Sequence, residues 1–444
     1  MNMSEQIKKT QHLIIGFGKA GKTLAKTLAT QGEEVILVEQ STKMYGGTCI
    51  NIGCIPSKKL KFLAEKGSEF HQAIAKKNEL IDALNQANFN MVDSVAEVIT
   101  GKATFVDNNT VQVATDSETL AIQAEKIYIN TGAVSRIPDI DGIKTAKNIY
   151  DSTGIMQLAE LPKHLVIVGG GYIGLEFASS FAEFGSQVTV LETGDTFVPK
   201  EDREIADILL KIMQKQGITV KLNQKIQKFS DSSDNNQTIV HTDDDELLAD
   251  AVLIATGRLP NTDLNLDNTG VTLTERGFIA VNEHLQTAVP HIYAMGDVAG
   301  SPQFTYMSLD DFRVVKSHLL ADGSYTTKNR TFPYSVFVNP PLSVVGLTEE
   351  NAKKQGFNVK TATLPASSIP KAKILEQTDG LLKAVVDSDT DKILGVQLLC
   401  AESHEMINFV DFAIRQGVKY QNVANYIFTH PTMSESLNDL FGKI

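Results

Sequence analysis

Two copies of one short pattern constrain this chain more than any other feature. Leu13-Ile14-Ile15 reads as the end of a buried strand and runs into Gly16-Phe17-Gly18-Lys19-Ala20-Gly21, where a helical pattern begins. Val35-Ile36-Leu37-Val38-Glu39 then reads as a second strand. The pattern returns as Leu165-Val166-Ile167-Val168, Gly169-Gly170-Gly171-Tyr172-Ile173-Gly174 and Val188-Thr189-Val190-Leu191-Glu192. In such a unit the first glycine permits a tight turn and the second lets backbone approach a pyrophosphate. The third lets helix pack on strand, and the helix N-terminus offers free N–H groups to the phosphates. Glu39 and Glu192 each fall 18 residues after the last glycine, where a carboxylate accepts from a ribose 2′-hydroxyl. One such turn is weak evidence. Two with matched acids indicate two dinucleotide-binding units.

The first turn also fits a rival motif. Gly16 to Thr23 reads GxxxxGKT, the phosphate loop of nucleoside triphosphatases, with Lys22 on the phosphates and Thr23 on magnesium. Glu39 at the dinucleotide position decides against it, as does a second turn with no Lys-Thr.

At 444 residues the chain has room for about three domains. The third is an α+β module from about 332, with strands near 334–338, 381–387 and 393–399 and helices near 402–417. A helical stretch spans 60–95, strands alternate over 97–131, and 230–237 reads as a surface turn. A net charge of −12 argues against nucleic acid or an anionic membrane as partner. No apolar run is long enough to span a bilayer, and the start, Ile7-Lys8-Lys9 before a short apolar run, does not read as a signal peptide, so a cytoplasmic location is expected. There, three cysteines are too few for a disulfide framework, and a paired cysteine is usually catalytic or sensory.

Cys49 and Cys54 lie in Gly46-Gly47-Thr48-Cys49-Ile50-Asn51-Ile52-Gly53-Cys54-Ile55-Pro56-Ser57-Lys58. They read as a redox pair, as two unrelated buried thiols, or as part of a zinc site whose other ligands are not evident. A bond between them requires the backbone to leave ideal helix, because residues five apart on a helix are separated by more than a disulfide allows, and Gly53 permits that departure.

This segment resembles the active-site signature of the class I pyridine nucleotide–disulfide oxidoreductases, which include glutathione reductase, dihydrolipoamide dehydrogenase and mercuric reductase. The resemblance runs in order along essentially the whole chain. It takes in Thr131-Gly132, Thr256-Gly257, Ala294-Met295-Gly296-Asp297 and His430-Pro431-Thr432-Met433-Ser434-Glu435. It implies an α/β fold with two Rossmann-like dinucleotide-binding domains, for FAD and NADH, and a C-terminal α+β dimerisation domain. The limits expected are 8–145 and 264–330 for the FAD domain, 146–263 for the NAD(P)H domain, and 331–444 for dimerisation.

The resemblance also implies a division of labour. FAD would lie against Gly16, Gly18, Gly21, Glu39 and Asp297, and NADH against Gly169, Gly171, Gly174 and Glu192. Gly47, Thr48, Thr131, Gly132 and Gly257 would complete the cofactor-binding set, with Tyr172 covering the flavin. Cys54 would be the flavin-proximal thiolate, Cys49 the exposed nucleophile, and Lys58 and Glu176 a pair beside the flavin. His430, oriented by Glu435, would reach in from a second subunit and make the homodimer obligatory. Thr432 to Glu435 also reads as a helix capping box. The carboxylate of Glu192 favours NADH, and Lys200 and Arg203 leave NADPH possible.

Further stretches look like a reactive-chlorine-resistance branch of that family. These are Met44-Tyr45, GFGKAGKT, 303–311, 403–408 and 428–441. The branch implies a small-molecule oxidant, foremost hypothiocyanous acid reduced to thiocyanate, with copper(II) or another metal ion as an alternative; the acid at Glu192 and the His430-Pro431-Thr432 motif also fit a dihydrolipoamide dehydrogenase. No cysteine follows Cys400, which weighs against mercury. Asp310 and Asp311 are expected to open a helix, either with one of them near the flavin or the disulfide or as two solvated acids. Cys400 and His404 are expected to be structural.

Overall fold

The computed structural model describes residues 7–233 and 236–444. Val35–Glu39 is buried at all five positions, as a strand covered on both faces must be. It sits inside a parallel sheet in the order Glu97–Thr100, Val35–Glu39, Lys8–Ile15, Thr119–Ile129 and Ile292–Ala294. The last strand comes from far down the chain, so this unit is completed only after the second has been built. Thr119–Ile129 also carries an antiparallel extension, Thr110–Ala114 and Lys102–Phe105.

The second unit is a parallel sheet in the order Ile218–Lys221, Gln187–Leu191, His164–Val168, Ala251–Ile254 and Ile149–Tyr150. An antiparallel ribbon, Ile226–Asp231, Thr238–Thr242 and Glu246–Ala249, is attached to it. Ser230 and Asp231 belong to that ribbon, so the expected turn over 230–237 starts later; its Asp234 and Asn235 lie outside the described residues. A short antiparallel pair, Ala133–Ser135 with Arg258–Pro260, ties the two units together.

The third module is a five-stranded antiparallel sheet with the helix Ser403–Arg415 packed on it. Two of its strands, Leu342–Gly346 and Val359–Pro365, had no clear signal. The first follows a Pro-Pro pair, and the second mixes Lys and Thr into its alternation. Leu381–Asp387 is buried at every position. Among the described residues, no helix is long and apolar enough to cross a membrane.

Candidate active site

Both glycine turns have the geometry their sequence demands. Gly16 and Gly169 sit at φ +102° and +113°, and a Cβ on either would come within 2.4 Å of a carbonyl oxygen, of Asn130 and Ala255 respectively. The third glycines pack: a Cβ on Gly21 would meet Gly16 O at 2.6 Å, and one on Gly174 would meet Gly169 O at 2.2 Å. Gly171 differs, since a Cβ there meets no protein atom within 4 Å and would project into open cleft. That bare backbone at a helix start is a cradle a side chain would fill, so these residues fit a dinucleotide phosphate.

One cleft of about 1690 Å³ joins the two turns. Gly16, Gly18, Glu39, Gly47, Thr48, Thr131, Gly132, Gly169, Gly171, Tyr172, Glu192, Gly257 and Asp297 line it, as do Cys49, Cys54, Lys58 and Glu176. Gly21 and Gly174 lie behind it, in the helix–strand packing. Glu39 accepts from Phe17 N at 3.0 Å and Ser41 N at 3.2 Å, and burial pushes its carboxyl upward. Glu192 accepts from Gly170 N at 2.7 Å and Gly194 N at 2.9 Å. The Arg203 guanidinium is committed to the carbonyls of Phe197, Val198 and Glu201, whereas Lys200 lines the cleft. Lys22 donates to Asn88 and toward Gly46 O, so it turns away from any phosphate-loop role.

The cysteine segment breaks where expected. The helix Gly47–Asn51 ends, Ile52 and Gly53 leave helical geometry, and a new helix, Cys54–Glu65, begins. A Cβ on Gly53 would lie 2.9 Å from Thr48 O, so this break needs glycine. Both cysteines are free thiols lining the same cleft, and each perturbs the other's titration most strongly. Cys54 opens on the cleft, and Cys49 is half-buried. The hydrogen bond from Cys49 lowers the Cys54 thiol to about 6, against burial, with help from the Lys58 charge and the Thr305 hydroxyl 3.6 Å away. The same contact, together with burial, drives Cys49 upward. Lys58 pairs with Glu176 at 2.6 Å, and Glu176 also accepts from Phe337 N at 3.0 Å.

His430 and Glu435 stand apart from the cleft. His430 is 70% exposed, with Nδ1 2.8 Å from Glu435 Oε2. Glu435 Oε1 accepts from Thr432 N, and Thr432 Oγ1 accepts from Glu435 N, so the His pairing and the reciprocal capping contact coexist.

Asp310 and Asp311 are not solvated acids at a helix start. The helix runs Thr305–Leu320, which puts both acids in its second turn rather than at its start. Asp311 is fully buried and accepts from Gly296 N, Ser301 Oγ and Arg330, each at 2.7 Å; Asp310 holds Tyr325 and Arg330. Asp311 braces the loop that carries Asp297, and Asp310 shares its arginine. Cys400 is fully buried. His404 lines the cleft with its ring 5.5 Å from that of Phe337. Sequence reasoning missed Asn130, Thr305 and Arg330. Asn130 Oδ1 accepts from Gly21 N and its Nδ2 donates to Met295 O, clamping glycine turn to Asp297 loop. Among the described residues, no group of three or more His, Cys, Asp or Glu side chains could hold a metal ion.

Known proteins share this architecture. Residues 10–311 match the family profile described as pyridine nucleotide-disulphide oxidoreductase, and residues 332–441 match its dimerisation domain. The chain is 50% identical to the probable pyridine nucleotide-disulfide oxidoreductase RclA of Escherichia coli (strain K12), over 99% of this chain and 100% of that one. It is 32% identical to dihydrolipoyl dehydrogenase of Geobacillus stearothermophilus, over 96% and 94%. The solved Cu(II) complex of the HOCl-induced flavoprotein disulfide reductase RclA from Escherichia coli superposes with a TM-score of 0.97 at 49% identity, covering 99% of this chain and 100% of that one.

Proposed function

This chain belongs to the pyridine nucleotide-disulphide oxidoreductases, enzymes that bind FAD and NAD(P)H; from that premise we propose that it reduces hypothiocyanous acid to thiocyanate at the Cys49–Cys54 pair. Bound FAD would relay two electrons from the nicotinamide nucleotide to the disulfide. The first glycine turn, Glu39, Gly47, Thr48, Thr131, Gly132 and Asp297 would hold FAD; the second turn, Glu192 and Gly257 would hold the nucleotide. Glu192 favours NADH, because a carboxylate repels a 2′-phosphate, while Lys200 in the same cleft keeps NADPH possible.

The thiols do the substrate chemistry. Cys49 gives its proton to His430 of a second copy and attacks the sulfur of HOSCN. An S–S bond forms and hydroxide leaves, giving a sulfenyl thiocyanate. The Cys54 thiolate then attacks the Cys49 sulfur and expels thiocyanate, leaving the disulfide for the next electron pair. The paired thiols at the floor of the cleft, with Cys54 depressed to about 6, are the observation that carries this reading. Lys58, held by Glu176, keeps a positive charge beside that thiolate. Dimerisation through the C-terminal module would bring His430 to the pair, and removal of such an oxidant would serve oxidative-stress defence.

A second reading is copper(II) reduction, favoured by the relative solved as a Cu(II) complex. NADH oxidation by purified protein, offered hypothiocyanite, Cu(II) or lipoamide in turn, separates these and the dihydrolipoamide alternative. Turnover with hypothiocyanite that is lost in Cys49→Ser is expected. Turnover only with Cu(II) or lipoamide would remove the substrate assignment and leave the cofactors standing.

A further inference from the structure

Glu201 is an unusual carboxylate. It lies between the second nucleotide unit and the third module, 4% exposed, and Oε2 makes no hydrogen bond. Its other oxygen draws two phenols together: Tyr172 donates to Oε1 at 2.5 Å and Tyr334 donates to it at 2.7 Å. The two hydroxyls are 3.2 Å apart, and the rings stack at 5.5 Å with 25° between planes. Tyr334 continues the stack to Phe304, and Phe304 to Tyr306 at 5.2 Å. Arg203 fixes the Glu201 backbone by donating to its carbonyl at 2.8 Å, so the carboxylate is anchored.

Tyr172 is the residue this arrangement restrains. It is the first residue of the helix Tyr172–Phe184, directly after Gly171, and Glu176 lies one turn further on the same face. Glu176 and Lys58 form the pair beside the cysteines. A ligand seated on the glycine turn and extending toward that pair must pass the Tyr172 ring, and moving the ring breaks its bond to Glu201. Hydrogen bonds to charged acceptors are the stronger ones, so the carboxylate is well suited to resist that movement.

We propose that Glu201 is a positioning residue that latches Tyr172 across the path of the nicotinamide nucleotide and so weakens nucleotide binding. This rests on the reading that the second glycine turn takes NAD(P)H. The latch trades affinity for a closed cleft, and it ties the nucleotide side to Tyr334 of the third module.

The test uses full-length, FAD-loaded protein and NAD+ as probe, with its Kd measured by calorimetry. Glu201→Gln keeps shape and acceptor but removes the charge. It is expected to tighten NAD+ by about fivefold, the factor separating hydrogen bonds to charged and neutral acceptors. Tyr172→Phe, which keeps the ring and loses the donor, is expected to tighten it at least as much. In steady state the KM for NADH falls in Glu201→Gln by a similar factor, whereas a merely structural defect lowers kcat and does not lower KM. If wild-type protein binds NAD+ and both variants bind it with unchanged or weaker affinity, the latch is wrong. If wild-type protein binds no NAD+ and NADH does not bleach its flavin, the nucleotide reading has failed and this inference falls with it.

Discussion

The thiol pair gives a prediction that needs no substrate. The largest cause of the low Cys54 value is the hydrogen bond from Cys49, ahead of the Lys58 charge and the Thr305 hydroxyl, and it works against burial. Cys49→Ala removes that donor, and Cys49→Ser keeps an oxygen donor in its place. With the thiol at about 6, roughly nine-tenths of Cys54 is thiolate at neutral pH; in the ordinary range near 8.5 the fraction is a few per cent. Alkylation by iodoacetamide at neutral pH is therefore expected to be about two- to threefold slower in Cys49→Ala than in Cys49→Ser, because a thiolate's lower nucleophilicity at low pKa offsets most of the roughly thirtyfold difference in thiolate fraction. Both variants leave Cys54 without a disulfide partner, and Cys400 is fully buried and its thiol is pushed up to about 12, so the label reports on Cys54. The pH profile is the sharper readout, with its midpoint moving upward in the alanine variant alone. Identical profiles in the two variants would show that the Cys49 contact does not set the Cys54 thiolate.

Four other outcomes follow from the geometry. Asp311→Ala leaves Arg330 without its fully buried partner and frees Gly296 N and Ser301 Oγ; a loss of about 3–5 kcal/mol is expected in chemical denaturation of the FAD-loaded protein. Gly16→Ala, with its Cβ 2.4 Å from Asn130 O and a left-handed φ, is expected to destabilise the chain, whereas Gly171→Ala meets no protein atom and is expected to keep wild-type thermal stability while weakening NAD+ binding. Glu192→Ala removes the carboxylate while Lys200 remains in the cleft, so the ratio of kcat/KM for NADH over NADPH is expected to fall about tenfold, and an unchanged ratio would show that Glu192 does not choose the cofactor.

What could be read from the sequence was local. The glycine turns and their acids declare themselves because each residue type answers a constraint within its own βαβ unit. The break at Gly53 follows from helix pitch, and the His430–Glu435 contact spans only five residues. What could not be read was long-range and made of common residues. Asn130 joins Gly21 to Met295, Arg330 reaches back to Asp311, and Glu201 meets Tyr334 over 133 positions. No spacing rule marks such partners, because the fold and not the local chain brings them together. Asp310 and Asp311 show the same limit: as a pair near a helix start they look solvated, and only the Asp297 loop packed against them makes Asp311 a buried brace.

On the proposed function, electrons leave this protein through the Cys49–Cys54 pair to hypothiocyanous acid. The most direct measurement is NADH oxidation by FAD-loaded protein with hypothiocyanite present, run beside Cys49→Ser and Cys54→Ser. Rapid oxidation with thiocyanate as product, abolished in both variants, is the expected result. A flavin that NADH bleaches but hypothiocyanite does not restore, or turnover that survives loss of either cysteine, would contradict it.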